Sequence, residues 1–293
     1  MQPIPHTFKP KNPLANYMRQ PKIYIKLPSN GIYWPDRSID LPENMELPVF
    51  SMTAKDELAF KTPDALLNGQ AMVDVIQSCF PNIKNAWVAP MVDLDTIMIA
   101  IRLATYGEKM AIKHKIPVIN EEVEHEIDLR ILLDQKRMVS WVDQIALAPN
   151  LVVYVKPLTF KHMTTTSLKS FETNKIMSMV NDDSISDEKK LELFQNSFNN
   201  LTKLSVDLMS DSIVKISTED DEVTDKKMIL EFINNIDKDM FEKINDHLTM
   251  MKKNNELPPI NFTTTEEQQE AGAPESYTIP ITFNESDFFG RGF

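Results

Sequence analysis

Nine of the nineteen prolines fall in the first fifty residues, from Pro3 to Pro48, and no other feature of the chain restricts its folding as much. Proline fixes φ, lacks a backbone donor and pushes the residue before it into extended conformations. Residues 1–50 are therefore predicted to form an extended arm. Within it, Lys22–Leu27 alternates well enough for a short strand, and Ser29-Asn30-Gly31 reads as a turn followed by Ile32, Tyr33 and Trp34. A free tail has no use for Tyr24, Tyr33 and Trp34, so the arm is expected to lie against the body or against a partner. Only six glycines occur in 293 residues. That scarcity argues against a glycine-rich phosphate loop and against a tight-turned all-β sandwich.

From Thr53 the period becomes helical. Thr53 with Asp56 is a candidate N-cap, and Thr62-Pro63-Asp64 restarts the pattern with proline at the first helical position. Leu66, Val73, Ile76 and Phe80 give an apolar face that Pro81 stops. Asp93 is read as the cap of a further helix carrying Leu94, Ile97, Met98, Ile101 and Ala104, with Gly107 as its end. The period then switches to two. Met110, Ile112, His114 and Ile116 alternate, as do Val123, His125, Ile127 and Leu129, which predicts a β-hairpin. A strand is expected at Leu151–Lys156.

Residues 159–254 read as helix, with Ser186 capping a segment striped by Leu191, Phe194, Phe198, Leu201, Leu204 and Leu208. Glu219–Glu222 is taken as a solvated acidic loop, and Asp225 opens a new helix. A last helix carries Met240, Phe241, Ile244 and Leu248. Tyr277, Ile279, Ile281 and Phe283 alternate as a final strand before Phe288 and Phe289. The predicted class is α+β and mostly helical. It divides into an arm (1–50), a helical domain (51–108), a β-hairpin region (109–158), a helical insertion (159–254) and a C-terminal strand segment (255–293).

The search for chemistry is short. Thirty-one basic against forty-three acidic residues give a net charge of −12, the wrong sign for general nucleic-acid or anionic-membrane binding. One cysteine, Cys79, excludes an internal disulfide and a cysteine-based zinc knuckle. With no signal peptide and no apolar run of membrane length, a reducing compartment is expected. Cys79 sits in an apolar helix and reads as an inert buried thiol. His114 and His125 face each other across the hairpin, but Glu124 and Glu126 point to its other face, so partly exposed sheet positions are favoured over a metal site. Asp93 and Asp95 are explained by the helix dipole. No GxSxG, Walker loop, HExxH or GxGxxG occurs. No catalytic residue, cofactor or metal ligand is assigned, and an enzyme is not expected.

Several separated stretches nevertheless have a common resemblance. They begin with Lys26-Leu27-Pro28-Ser29-Asn30-Gly31 and Ser51–Glu57, and the most distinctive is Thr62-Pro63-Asp64-Ala65-Leu66-Leu67-Asn68-Gly69. Asp93-Leu94-Asp95, Ile99–Arg102 and Ala104–Gly107 follow, then Lys156–Phe160, Phe232–Asp237 and Ile281–Phe289. In this order they resemble the baseplate proteins of T4-like myophages, the family of the hub subunit or hub-assembly protein. Many relatives carry Cys-Pro-x-Cys where this chain has Ile116-Pro117-Val118-Ile119, and a second cysteine pair where it has Thr263–Ser276. The resemblance thus implies a small antiparallel β subdomain like a zinc ribbon that has lost its cysteines. Residues 109–130 would then pack beside 260–289.

It further implies a non-enzymatic tail protein acting through protein–protein contacts with other hub and tail proteins. Both a virion component and a transient chaperone, present in the host cytoplasm during late assembly, stay open. Tyr24, Tyr33, Trp34, Phe288 and Phe289 are the candidate interaction residues, because aromatics near chain ends commonly anchor interfaces. Cover for the chain's own core is an equal reading of them. The alternative function is a nucleic-acid-binding accessory protein on a degenerate zinc ribbon, which the acidic balance and missing ligands disfavour.

Overall fold

The structure is a computed structural model and describes residues 14, 17–60, 69–138, 140–180 and 186–281. Its first apolar core is built around one helix. β1 (Pro21–Ile25) pairs antiparallel with β2 (Leu47–Phe50). α1 (Ala54–Ala59) and α2 (Gln70–Cys79) follow, then α3 (Met91–Tyr106). α3 buries Val92, Leu94, Ile97, Met98, Ile99, Ala100, Ile101 and Leu103, so it is apolar nearly all round and takes the centre. Ile25, Leu27, Trp34, Leu47 and Val49 belong to the same cluster. The proline-rich segment is extended, as its composition demands, but from residue 21 onward it is a wall of the core and not a separate arm.

β3 (Lys109–Lys115) and β4 (Glu122–Asp128) form the predicted hairpin, and α4 (Leu129–Gln135) returns to the first core through Leu129 and Leu132. A second core lies on a four-stranded antiparallel sheet in the order β5-β6-β7-β8. Its strands are Gln144–Ala148, Leu151–Val155, Ile213–Ser217 and Glu222–Val223. Between the neighbours β6 and β7 the chain leaves the sheet as two long helices, α5 (Phe160–Val180) and α6 (Asp187–Ser212). α7 (Lys226–Asn235) and α8 (Lys238–Asn254) cover the sheet with Ile229, Ile233 and Ile244. The reading of 159–254 as all helix is thus corrected. Ile213-Val214-Lys215-Ile216 is too short to show a period of its own beside the α6 stripe, and the acidic 219–222 stretch turns β7 into β8.

The chain ends in β9 (Ile260–Thr263), a short α9 (Glu266–Glu270) and β10 (Ser276–Ile279). β9 and β10 pair with each other, and their side chains meet the tip of the β3–β4 hairpin. Ile116, Ala273 and Tyr277 are buried together, flanked by Ile119, Val123, Phe262 and Ile279. The class is therefore mixed helix and antiparallel sheet. Phe160, at the start of α5, belongs to the first core: it is 1% exposed, stacks on Trp87 at 5.7 Å and donates its backbone N–H to Ala89.

Candidate interaction surfaces

Asp93 was expected to cap α3, but Pro90 occupies the cap position and Asp93 lies in the first turn, fully buried. Its carboxylate accepts three hydrogen bonds from the loop after β1. The donors are the Ser29 N–H at 2.9 Å, the Ser29 hydroxyl at 2.5 Å and the Trp34 indole N–H at 2.8 Å. Burial pushes this carboxyl above its ordinary value, while the Ser29 and Trp34 donors and the charge of Lys136 pull it down. Asn30 and Gly31 take positive φ so that the loop can turn back, and a Cβ on Gly31 would run into Leu41. The Leu-Pro-Ser-Asn-Gly and Asp-Leu-Asp stretches, sixty residues apart in sequence, are therefore the two halves of one buried staple. Asp95 is occupied separately, by an ion pair of 3.1 Å with the buried Lys136.

The candidate aromatics fare differently. Trp34 is 7% exposed and serves the chain's own core through Asp93. Tyr33 is half-buried, edge-on to Trp141 at 6.3 Å, and burial followed by the charges of Asp143 and Asp93 raises its phenol pKa. Tyr24 is 61% exposed on β1. Phe288 and Phe289 lie outside the described residues, as do Phe283 and the Thr62–Asn68 stretch. Gly69, the last residue of that stretch, precedes α2 with φ of 75°, and a Cβ there would come within 2.9 Å of the Thr164 hydroxyl on α5. Close backbone approach explains that glycine.

One anchor had no sequence signal. Arg19 donates to the carbonyls of Ser51 and Ser78 at 2.5 and 2.7 Å, to the Ser78 hydroxyl, and pairs with buried Asp56 at 3.7 Å. Asp56 also closes the capping box with Thr53, so one carboxylate ends up serving both the start of α1 and the chain before β1. Beside this network Cys79 is fully buried, and burial, then the Asp56 charge, push its thiol up to about 12. It is protonated and unreactive at neutral pH.

On the hairpin pair, His114 and His125 stand 5.1 Å apart in an aromatic stack. His125 lies on Phe262 at 4.4 Å, and His114 Nε2 is 2.8 Å from the Tyr277 hydroxyl. Glu124 and Glu126 do point away, pairing with Lys113 and Lys109 on the other face. Among the described residues no group of three or more His, Cys, Asp or Glu is placed to hold a metal. A shallow hollow of about 380 Å³ beside Gln135, Met138 and Pro258 has its buried lysine, Lys136, already engaged by Asp95 and the Asn255 carbonyl.

Burial, and next the charge of His125, lower the His114 pKa. The fold then favours the neutral ring. Its contribution is intact above the unfolded value of about 6.5 and is lost as pH falls through that value toward the lower folded one. Thermal melts between about pH 7.5 and pH 5 should show wild type losing more stability than His114→Phe, which keeps the stacking but cannot titrate. His162, also lowered by burial, keeps its share in both proteins. Superimposable pH profiles would refute the assignment.

These surfaces offer stapled loops, exposed apolar side chains and stacked hairpins. Comparison with known proteins gives them their class, that of a bacteriophage tail protein. The family model described as T4 bacteriophage base plate protein matches residues 38–274, and the chain belongs to that family. No curated protein and no solved structure matches the chain. The matched range takes in the whole second cluster and parts of the other two, from the loop at Ser38 to the buried Ala273, and leaves out Ile25, Leu27, Trp34 and Tyr277. Among the described residues no helix is long and apolar enough to cross a membrane.

Proposed function

We propose that this protein acts in the baseplate hub by non-covalent contact, as a hub component or as a chaperone of hub assembly. The family match carries the reading. Exposed apolar side chains held on rigid elements support it: Tyr24 and Ile32, 61% and 77% exposed, flank the loop that Asp93 staples. Such a site presents an aromatic with little ordering entropy left to lose on binding. Phe288 and Phe289 are further candidate interaction residues, while Trp34 holds the loop in shape. The partners are other tail proteins, met in the host cytoplasm during assembly, and net charge −12 keeps the unassembled chain soluble.

Tagged protein purified from infected cells, with mass spectrometry of intermediates and finished virions, tests this. Recovery with hub proteins but absence from virions identifies a chaperone; fixed stoichiometry in virions identifies a hub subunit. Recovery with neither overturns the proposal.

The two hairpins are read, within the same proposal, as a ribbon held by Ile116, Ile119, Ala273 and Tyr277 in place of metal. A structural zinc contributes about 10–16 kcal/mol in small zinc domains, so its removal would be conspicuous. EDTA is expected to leave the melting temperature unchanged, with no zinc by elemental analysis. A chelator-induced drop of several degrees would sink this reading.

A further inference from the structure

The α5–α6 hairpin carries an apolar stripe that is exposed among the described residues. On α6, Ser197 and Leu204 are 3% and 6% exposed and mark the covered side. Beside them Leu191, Phe194, Phe198 and Leu201 are 59%, 48%, 62% and 38% exposed. Their spacing of three, four and three residues is that of a heptad seam. Such a seam stays in line only along another helix, so the surface is shaped for a helix and not for a strand or a loop.

α5 adds to it. The His162–Asp211 pair at 3.4 Å sets the register of the two antiparallel helices, and counting equally from it brings Phe171 level with Thr202. Phe171 is 58% exposed. Together these side chains expose on the order of 500 Å² of apolar surface, the size at which a patch marks an interaction site.

Charge selects the occupant. Residues 193–202, Leu-Phe-Gln-Asn-Ser-Phe-Asn-Asn-Leu-Thr, contain no ionisable side chain, in a chain of net charge −12. Asp187, Glu188, Lys189, Lys190 and Glu192 on its N-terminal flank sum to only −1. Two such acidic chains repel one another over most of their surface, and this window is where they can approach without opposing charges of one sign. A two-fold axis near residue 196 would set Leu191 against Leu201 of the second copy and Phe194 against Phe198, a self-complementary contact of aromatic on aromatic. Gln195 would lie one residue from the axis, about 3 Å along the helix from its counterpart.

We propose that this seam joins two copies of the chain, with α6 antiparallel to α6 of the second copy and the two α5 helices completing a four-helix bundle. The proposal does not depend on the hub assignment. Sedimentation equilibrium of the full chain at micromolar concentrations is expected to give a species of twice the 33.7 kDa chain mass. Phe198→Glu should weaken association by at least about a hundred-fold, since it places a charge at the centre of the contact on both copies. Because Phe198 is exposed in the single chain, the variant should melt as wild type does at concentrations where wild type has dissociated. Gln195→Cys should cross-link into a disulfide dimer under mild oxidation, Cys79 being too buried to compete.

A wild-type chain that stays monomeric throughout, or a dimer that neither substitution affects, overturns the proposal. So does a monomer whose Phe198→Glu variant fails to enter baseplate intermediates, which would assign the seam to a helix of another protein.

Discussion

Asp93→Ala is expected to destabilise the protein by about 3–5 kcal/mol, the cost of leaving several buried donors without their acceptor. In a chain of this size that corresponds to a melting temperature lower by on the order of 10 °C. The Ser29 N–H, the Ser29 hydroxyl and the Trp34 indole all end on this one carboxylate, and Ser29 and Trp34 are themselves buried. Ser29→Ala removes one of the three donors and should cost about 1–2 kcal/mol. The double mutant should fall well short of the sum, because the hydroxyl's contribution exists only while Asp93 is present. Additive losses, or an Asp93→Ala effect below about 1 kcal/mol, would show that the staple does not hold the N-terminal wall in place.

Phe160→Ala should rank beside it, at about 3–5 kcal/mol, as for other fully buried aromatics. Its ring sits in the first core against Trp87, yet its backbone begins α5, the first of the two helices after which the chain returns to the sheet of the second core at Ile213. The loss should therefore be uneven. Hydrogen exchange is expected to accelerate most along the junction of residues 86–91 and 158–164, where the Met91 N–H to Leu158 and Phe160 N–H to Ala89 bonds cross. Phe198→Ala is the contrast. That ring is of the same type but is 62% exposed, and in the dissociated chain its truncation should change stability by no more than about 0.5 kcal/mol. Equal losses at the two positions would mean that burial is not what distinguishes them.

The two phenylalanines also show where sequence reasoning stops. Both lie on an apolar stripe of a helix, and periodicity treats them alike. The stripe from Leu191 to Leu208 was legible as one face, but part of it is covered and part is not: Leu204 is buried while Leu191, Phe194 and Phe198 are exposed. Which part is covered depends on where the chain re-enters the sheet at Ile213. Asp93 is a similar case. An acidic residue in the first turn of a helix is fully explained by the dipole, so nothing local hints that it is buried or that Ser29 and Trp34 converge on it. The family resemblance quoted both stretches without saying that they touch.

What the sequence determined by itself is local. The density of prolines kept residues 21–50 out of helix, alternation wrote the β3–β4 hairpin, and Thr53, Asp225 and Gly107 set helix ends, because each depends on φ, hydrogen bonding or side-chain period within a few residues. The tertiary structure alone decided that the extended segment is a wall of the core, that β6 and β7 are neighbours across a two-helix excursion, and that Trp34 faces inward while Tyr24 faces out. Those outcomes rest on contacts between residues tens of positions apart. Their energy comes from excluding water from whichever surfaces meet, and no window of sequence contains both surfaces.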